Sequence, residues 1–220
     1  MCFPRKDSVR RQAFSLIELL AVMAVISLLM VATIPAFNSM GPAYRLGTAS
    51  EAIMTVLDTA RMEAINANTT VQLRIITGSA APVEAQYRAY SLWKRNKTDG
   101  TYAQTTKWEI LPVGVTFESL DDPSLSYPLS DPRYAGTHVL NSTLNNKNTS
   151  AYLGQSVGTT YVECYPDGSV RLPALAGSSA YLLMKLATAT TNAAGTPANW
   201  RQVRINALTG QLRLNTPPKS

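Results

Sequence analysis

The stretch RRQAFSLIELLAVMAVISLLMVATIPAF, Arg10 to Phe37, is an almost unbroken apolar run with one carboxylate, Glu18, near its start. As a helix, the part from Phe14 to Ile34 reaches about 30 Å at ~1.5 Å per residue, the thickness of a bilayer's hydrocarbon core. An acidic residue at the centre of a membrane helix costs roughly 2.5–3.5 kcal/mol and less near the interface, so Glu18 is read as functional. Arg5, Lys6, Arg10 and Arg11 precede the run. The positive-inside bias therefore keeps residues 1–13 in the cytoplasm and sends the chain beyond Phe37 outward. A secretory signal peptide would have a shorter apolar core, ~7–15 residues, with a small-residue cleavage site after it. Here no A-x-A pattern follows the core before Pro35, and the small residue, Ala13, precedes it.

The rest of the chain is of ordinary globular composition. Its 220 residues are 45% hydrophobic and 15% charged, which suits one domain plus the apolar segment and excludes wholesale disorder. The formal charge is +6, but Arg5, Lys6, Arg10 and Arg11 against Asp7 place half of that excess before Phe14, leaving a mildly basic body. Cys2 and Cys164 are the only cysteines, too few for a disulfide framework or a paired-cysteine zinc site. Cys164 reads as a small buried apolar residue.

Periodicity divides the chain further. Pro35 should kink the first helix, residues 14–37, and Gly41-Pro42 makes a second break. Leu46, Ala49, Ile53, Val56, Leu57, Ala60 and Ala64 then recur at spacings of three and four, one face of an amphipathic helix over 43–68. From residue 69 to 220 the period changes to two. Short strands are predicted at Val71–Ile75, Tyr87–Trp93, Lys107–Leu111, Val113–Phe117, Thr160–Tyr165, Tyr181–Leu186, Val203–Ile205 and Gln211–Leu214. Asp99-Gly100, Asp167-Gly168 and Thr209-Gly210 supply turns between several of them. The fold class is α+β, a long N-terminal helix packed on an antiparallel sheet. Residues 121–159, rich in Asn, Ser, Thr and Pro, read as a polar surface insertion.

The order of residues around Glu18 adds a family. A basic leader, a small residue and then FSLIE at the head of the apolar helix resembles the processing signature of type IV prepilins and type II secretion pseudopilins. That resemblance implies cleavage by a prepilin peptidase between Ala13 and Phe14, N-methylation of Phe14, and assembly with other pilin or pseudopilin subunits through Glu18. It places the chain in the inner membrane as a single-pass protein with its C-terminal domain periplasmic. Ala13 stands where the family usually has Gly. Further along, ARMEAINANTTVQLRI, ILPVGVTF, YPDGSV and VRINALTGQLRL resemble segments of the H-type, FimT-like minor pseudopilins. More narrowly, YRAYSLWKRNKTDGTY, CYPDGSVRL and ALTGQLRL resemble Verru_Chthon cassette protein D, a prepilin-like family. The implied function is a structural subunit of a pilus-like fibre or secretion pseudopilus.

Other functions have less to stand on. His138 is the only histidine and lacks the partners of a nucleophile–base set, so no enzyme and no cofactor are expected. Asp121, Asp122 and Asp131 are ordinary turn formers, fewer oxygens than a calcium site needs. Trp93, Trp108 and Trp200 read as core or sheet-face residues. The alternative function is DNA binding, which FimT-like pilins of uptake systems perform and which needs several cations on one face. Arg204 and Arg213 on the C-terminal hairpin are its candidates, with Lys94, Arg95 and Lys97 near another turn. The family's DNA binders carry Gly-Arg-x-Arg here, whereas this chain reads Gly210-Gln211-Leu212-Arg213, so nucleic acid is not favoured.

Overall fold

The computed structural model of the protein describes residues 16–78, 80–118, 137–140, 147–171, 180–186 and 199–216. The chain divides into two compact units, Met1–Gly41 and Pro42–Ser220. One helix, α1, runs from Leu16 to Ala67, 52 residues. Its backbone stays helical through Gly41-Pro42, where the sequence predicts a break. A helical proline forfeits one backbone bond and crowds the preceding turn, at about 3 kcal/mol. That cost is local, and the long helical runs on either side absorb it. The boundary between the two units still falls at this Gly-Pro pair.

Within the first unit, α1 is apolar on every side, with Leu16, Ile17, Leu19, Leu20, Val22 and Met23 all exposed. Within the second, it has one buried face. Leu46, Ala49, Ile53, Leu57, Ala60 and Ala64 are at most 2% exposed, and Val56 packs half-buried beside them. The helix ends as its sequence predicts. Asn68 adopts φ 46°, Thr69 N–H donates to Ala64 O at 3.2 Å and Asn68 N–H to Ile65 O at 3.2 Å. These are the two bonds of a Schellman cap with asparagine in the left-handed position.

The strands are β1 (Val71–Ile76), β2 (Ala89–Arg95), β3 (Tyr102–Gln104), β4 (Glu109–Ile110), β5 (Val115–Phe117), β6 (Thr137–His138), β7 (Lys147–Tyr152), β8 (Gln155–Cys164), β9 (Val170–Arg171), β10 (Ala180–Leu186), β11 (Trp200–Ile205) and β12 (Leu212–Asn215). They form two sheets rather than one. The larger has the order β3-β2-β1-β8-β7, with β4 on β2 and β9 on β8; the smaller runs β12-β11-β10-β5, with β6 on β10. All described pairings are antiparallel except β6 with β10. Leu73 sets the central register, opposite Leu92 on one side and Val162 on the other. Both sheets contribute to one core: Val71, Leu73 and Ile75 meet α1's apolar face together with Leu182, Met184, Val203 and Ile205. Lys185 on β10 binds Glu118, just after β5, at 2.7 Å, and that carboxylate is buried.

The segment 121–159 is not simply a surface insertion. Its described parts build structure: Val139 and Leu140 are buried in the main core, and Lys147–Tyr152 pairs along β8 from Gln155. The sequence conceals this because the hairpin is threonine- and serine-rich. Those hydroxyls are buried by bonding one another, as Ser150 Oγ does with Thr159 Oγ1 at 3.2 Å.

The larger sheet also curls. Trp108, between β3 and β4 at one edge, donates Nε1–H to Ala151 O on β7 at the opposite edge, 2.9 Å away. The curl encloses a second small core of Ile76, Ala81, Ala85, Ala89, Tyr152 and Val157, with Trp108 packed against it.

Candidate functional site

The cleavage residues Ala13 and Phe14 lie outside the described residues. Glu18 is described: it occupies the first turn of α1 and is exposed. A carboxylate there is favoured by the partial positive charge of the helix N-terminus. Around it, Leu16 and Ile17 are 78% and 76% exposed. A helix apolar all round must be covered by lipid or by other helices. Among the described residues no helix is long and apolar enough to cross a membrane. The expected span from Phe14 to Ile34 lies partly outside them, as does the side chain of Pro35.

The second expected site assembles by register. Arg204 on β11 is directly opposite Arg213 on β12, so the two side chains leave the hairpin on one side. With Asn206 and Gln211 they line a cavity of about 240 Å³. The other cations are divided. Lys94 is held by Glu63 at 3.1 Å, while Arg95 and Lys97 border a separate cleft of about 530 Å³ with Thr69, Asp99 and Gly100.

The remaining candidates resolve individually. Cys164 is fully buried, and burial pushes its thiol up to about 12, which suits an apolar core residue rather than a nucleophile. The side chain of His138 and all of Asp121, Asp122 and Asp131 lie outside the described residues. No group of acidic, His and Cys side chains among the described residues has the arrangement of a metal site. Trp93 and Trp200 are buried; Trp108 is half-buried at the seam of the curled sheet.

A polar cluster inside the curl has no counterpart in the sequence reading. Gln72 and Arg74 alternate with the core residues of β1, a pattern that predicts solvent exposure, yet they are 2% and 3% exposed. Arg74 Nε donates to Gln72 Oε1 at 2.8 Å and Nη1 to Ser150 Oγ at 3.0 Å. Its guanidinium lies 4.4 Å from the ring centroid of Trp93 and 5.3 Å from that of Tyr102. Gln72 Nε2 in turn donates to Glu163 Oε1 at 2.7 Å, and the Tyr102 and Tyr165 hydroxyls donate to the same carboxylate, each at 2.9 Å. Burial lowers the pKa of Arg74, opposed by Tyr102, Tyr161 and Glu163. Burial together with Glu163 raises Tyr102 and carries Tyr165 up to about 12. The cluster is a hydrogen-bonded network across β1, β3, β7 and β8 in which, among the described residues, Trp93 Nε1 is buried without a hydrogen-bond partner, and its signal in the sequence is only the Gln-x-Arg of β1.

Comparison with known proteins bears first on the N-terminus, where residues 9–34 match the prokaryotic N-terminal methylation motif. No curated protein matches the chain. Two structures of the minor pseudopilin EpsH from the type II secretion system of Vibrio cholerae are similar. They are 11% and 14% identical, cover 80% and 81% of this chain and 99% and 98% of theirs, and give TM-scores of 0.41 and 0.44. The type IV minor pilin FimU of Pseudomonas aeruginosa PAO1 is 10% identical over 80% of this chain and 90% of its own, with a TM-score of 0.43. The match that carries weight is thus the N-terminal one, the prokaryotic methylation motif over residues 9–34.

Proposed function

We propose that the chain is a minor pilin-like or pseudopilin-like structural subunit rather than an enzyme. In this reading a prepilin peptidase cuts between Ala13 and Phe14, Phe14 is N-methylated, and the run to Ile34 holds the subunit in the inner membrane with its body outside. The observation that carries the proposal is the methylation motif over residues 9–34, continued by a helix with Glu18 in its first turn and apolar side chains exposed all round. After cleavage the new α-amino group and Glu18 carry opposite charges near an apolar layer, and each alone is costly there. Pairing Glu18 with the amine of an adjacent subunit satisfies both and fixes the axial register of the packed helices. Glu18→Ala should leave insertion and cleavage intact, since the segment becomes more apolar, and should abolish co-purification with other fibre subunits. Normal co-purification of that variant contradicts the pairing.

The register of Arg204 with Arg213 favours DNA binding as a second reading. Two cations on one side of a hairpin, bordering a cavity with Asn206 and Gln211, suit a phosphate backbone. On that reading the purified chain binds duplex with an affinity that falls as salt rises. Arg213→Ala weakens binding across sequences and reduces the salt slope by about 1. Absence of binding at low salt removes the reading.

A further inference from the structure

At the seam of the curled sheet lies an open cleft of about 530 Å³, bordered by Gln104, Thr106, Lys107 and Trp108 on one edge and by Tyr152 and Leu153 on the other. We infer that this cleft binds an acidic polysaccharide of the uronate type.

The platform is Trp108. Its only polar atom, Nε1, is committed to Ala151 O, so what the indole offers the cleft is carbon surface. The ring is held in place by Tyr152, edge-on at 5.8 Å between centroids, and by Trp93 at 6.4 Å. A rigid aromatic face of this kind takes the C–H face of a sugar ring at little entropic cost. The polar wall suits the hydroxyls of the same ligand. Gln104 uses its amide nitrogen on Ser91 Oγ at 3.0 Å and keeps its carbonyl oxygen as an acceptor, whereas the Thr106 hydroxyl is already engaged, accepting from Leu92 N–H at 2.9 Å. Lys107 is exposed, makes no ion pair with any described residue, and is the one basic side chain in the lining. One cation beside an aromatic platform complements a sugar carboxylate; a nucleic acid would call for several.

Leu153 supplies an independent observation. It holds φ 47°, followed by Gly154 at φ 80°, the two central positions of a β7–β8 hairpin turn. Such a turn favours asparagine at the first position, because its short polar side chain tolerates left-handed backbone. Leucine there is strained and is 81% exposed, so water gives it no return. A ligand lying across Trp108 covers it.

The test is titration of the purified full-length chain, in a detergent without a sugar headgroup, with oligogalacturonate and with maltohexaose of matched length. Calorimetry and tryptophan fluorescence are the readouts. Saturable binding of oligogalacturonate, about tenfold or more tighter than maltohexaose, is expected. Trp108→Ala should weaken it about tenfold, the scale of one stacked aromatic contact. Because Trp108 also touches the second core, the exposed Leu153→Asn and Lys107→Gln serve as further variants. Both should weaken binding with the fold unchanged, and Lys107→Gln should erase the preference for the acid. Absence of saturable binding, equal affinity for the two sugars, or indifference to all three substitutions overturns the proposal. So does loss of a co-purifying protein chain on Leu153→Asn without any sugar binding, which would assign the cleft to a protein neighbour.

Discussion

The guanidinium of Arg74 lies 4.4 Å from the ring centroid of Trp93, inside the curl of the larger sheet and 3% exposed. No ion pair holds it among the described residues; its partners are neutral oxygens and aromatic faces. Arg74→Ala should therefore lower stability by about 2–4 kcal/mol, from lost charge-assisted bonds and a vacated buried volume. Arg74→Lys should recover little, because an ammonium cannot stack flat on Trp93 while bonding Gln72 and Ser150. Denaturant unfolding of the two variants checks this, and a lysine variant as stable as the parent contradicts it.

Lys185 and Glu118 join β10 to the end of β5 across 2.7 Å, with the lysine side chain 24% exposed and the carboxylate 3%. Lys185→Met should cost about 2–3 kcal/mol, less than the ~3–5 of a fully buried pair because some solvent reaches Lys185. The double variant Lys185→Met, Glu118→Gln should recover part of that loss. Thermal unfolding of the single and double variants gives the coupling.

Gly210 and Gly154 separate conformational from steric cost. Both hold positive φ, 66° and 80°, where a Cβ adds roughly 1–2 kcal/mol. A Cβ at Gly154 meets open space, whereas one at Gly210 would come within 2.5 Å of Gly168 O and 2.6 Å of Arg61 Nε. Gly154→Ala should cost only the conformational term. Gly210→Ala should cost clearly more, because Arg61 must give up its 3.0 Å bond to Gly168 O. Comparable unfolding midpoints for the two variants would contradict the packed junction.

Much of this architecture is legible in the sequence, and the exceptions share a cause. The face Leu46 to Ala64, the cap at Asn68 and the turns at Gly168 and Gly210 announce themselves because each depends on local spacing or on one residue's backbone freedom. The hairpin β7–β8 and the burial of Gln72 and Arg74 do not. Polar strands look solvent-exposed until a second edge of the sheet folds back and satisfies them, and that closure is non-local: Trp108 meets Ala151 across four intervening strand pairings. The pairing of Arg204 with Arg213 was half legible, since the Thr209-Gly210 turn marks the hairpin while only the structure gives its register.

The buried Cys164 makes a prediction about alkaline pH. Its thiol is raised from 9.0 to about 12 by burial, so the folded state resists ionisation that the unfolded chain allows. The stability it contributes is fully present below about pH 9 and is lost as pH rises towards 12. Tyr165, raised to about 12 from 10.0, adds to the upper part of that window. Unfolding free energy should thus decline above pH 9, and Cys164→Ala should flatten the first part of the decline. A native thiol that reacts readily at pH 8 would contradict its burial.

The central claim, that this is a processed pilin-like subunit, is tested most directly by the mass of its N-terminal peptide. Residues 9–34 carry the methylation motif, and the proposed cut releases residues 1–13. Mass spectrometry of the protein from the membrane fraction of cells with a prepilin peptidase should give an N-terminus at Phe14 bearing one added methyl group. An intact Met1, or a cut after Ala36, would contradict the account.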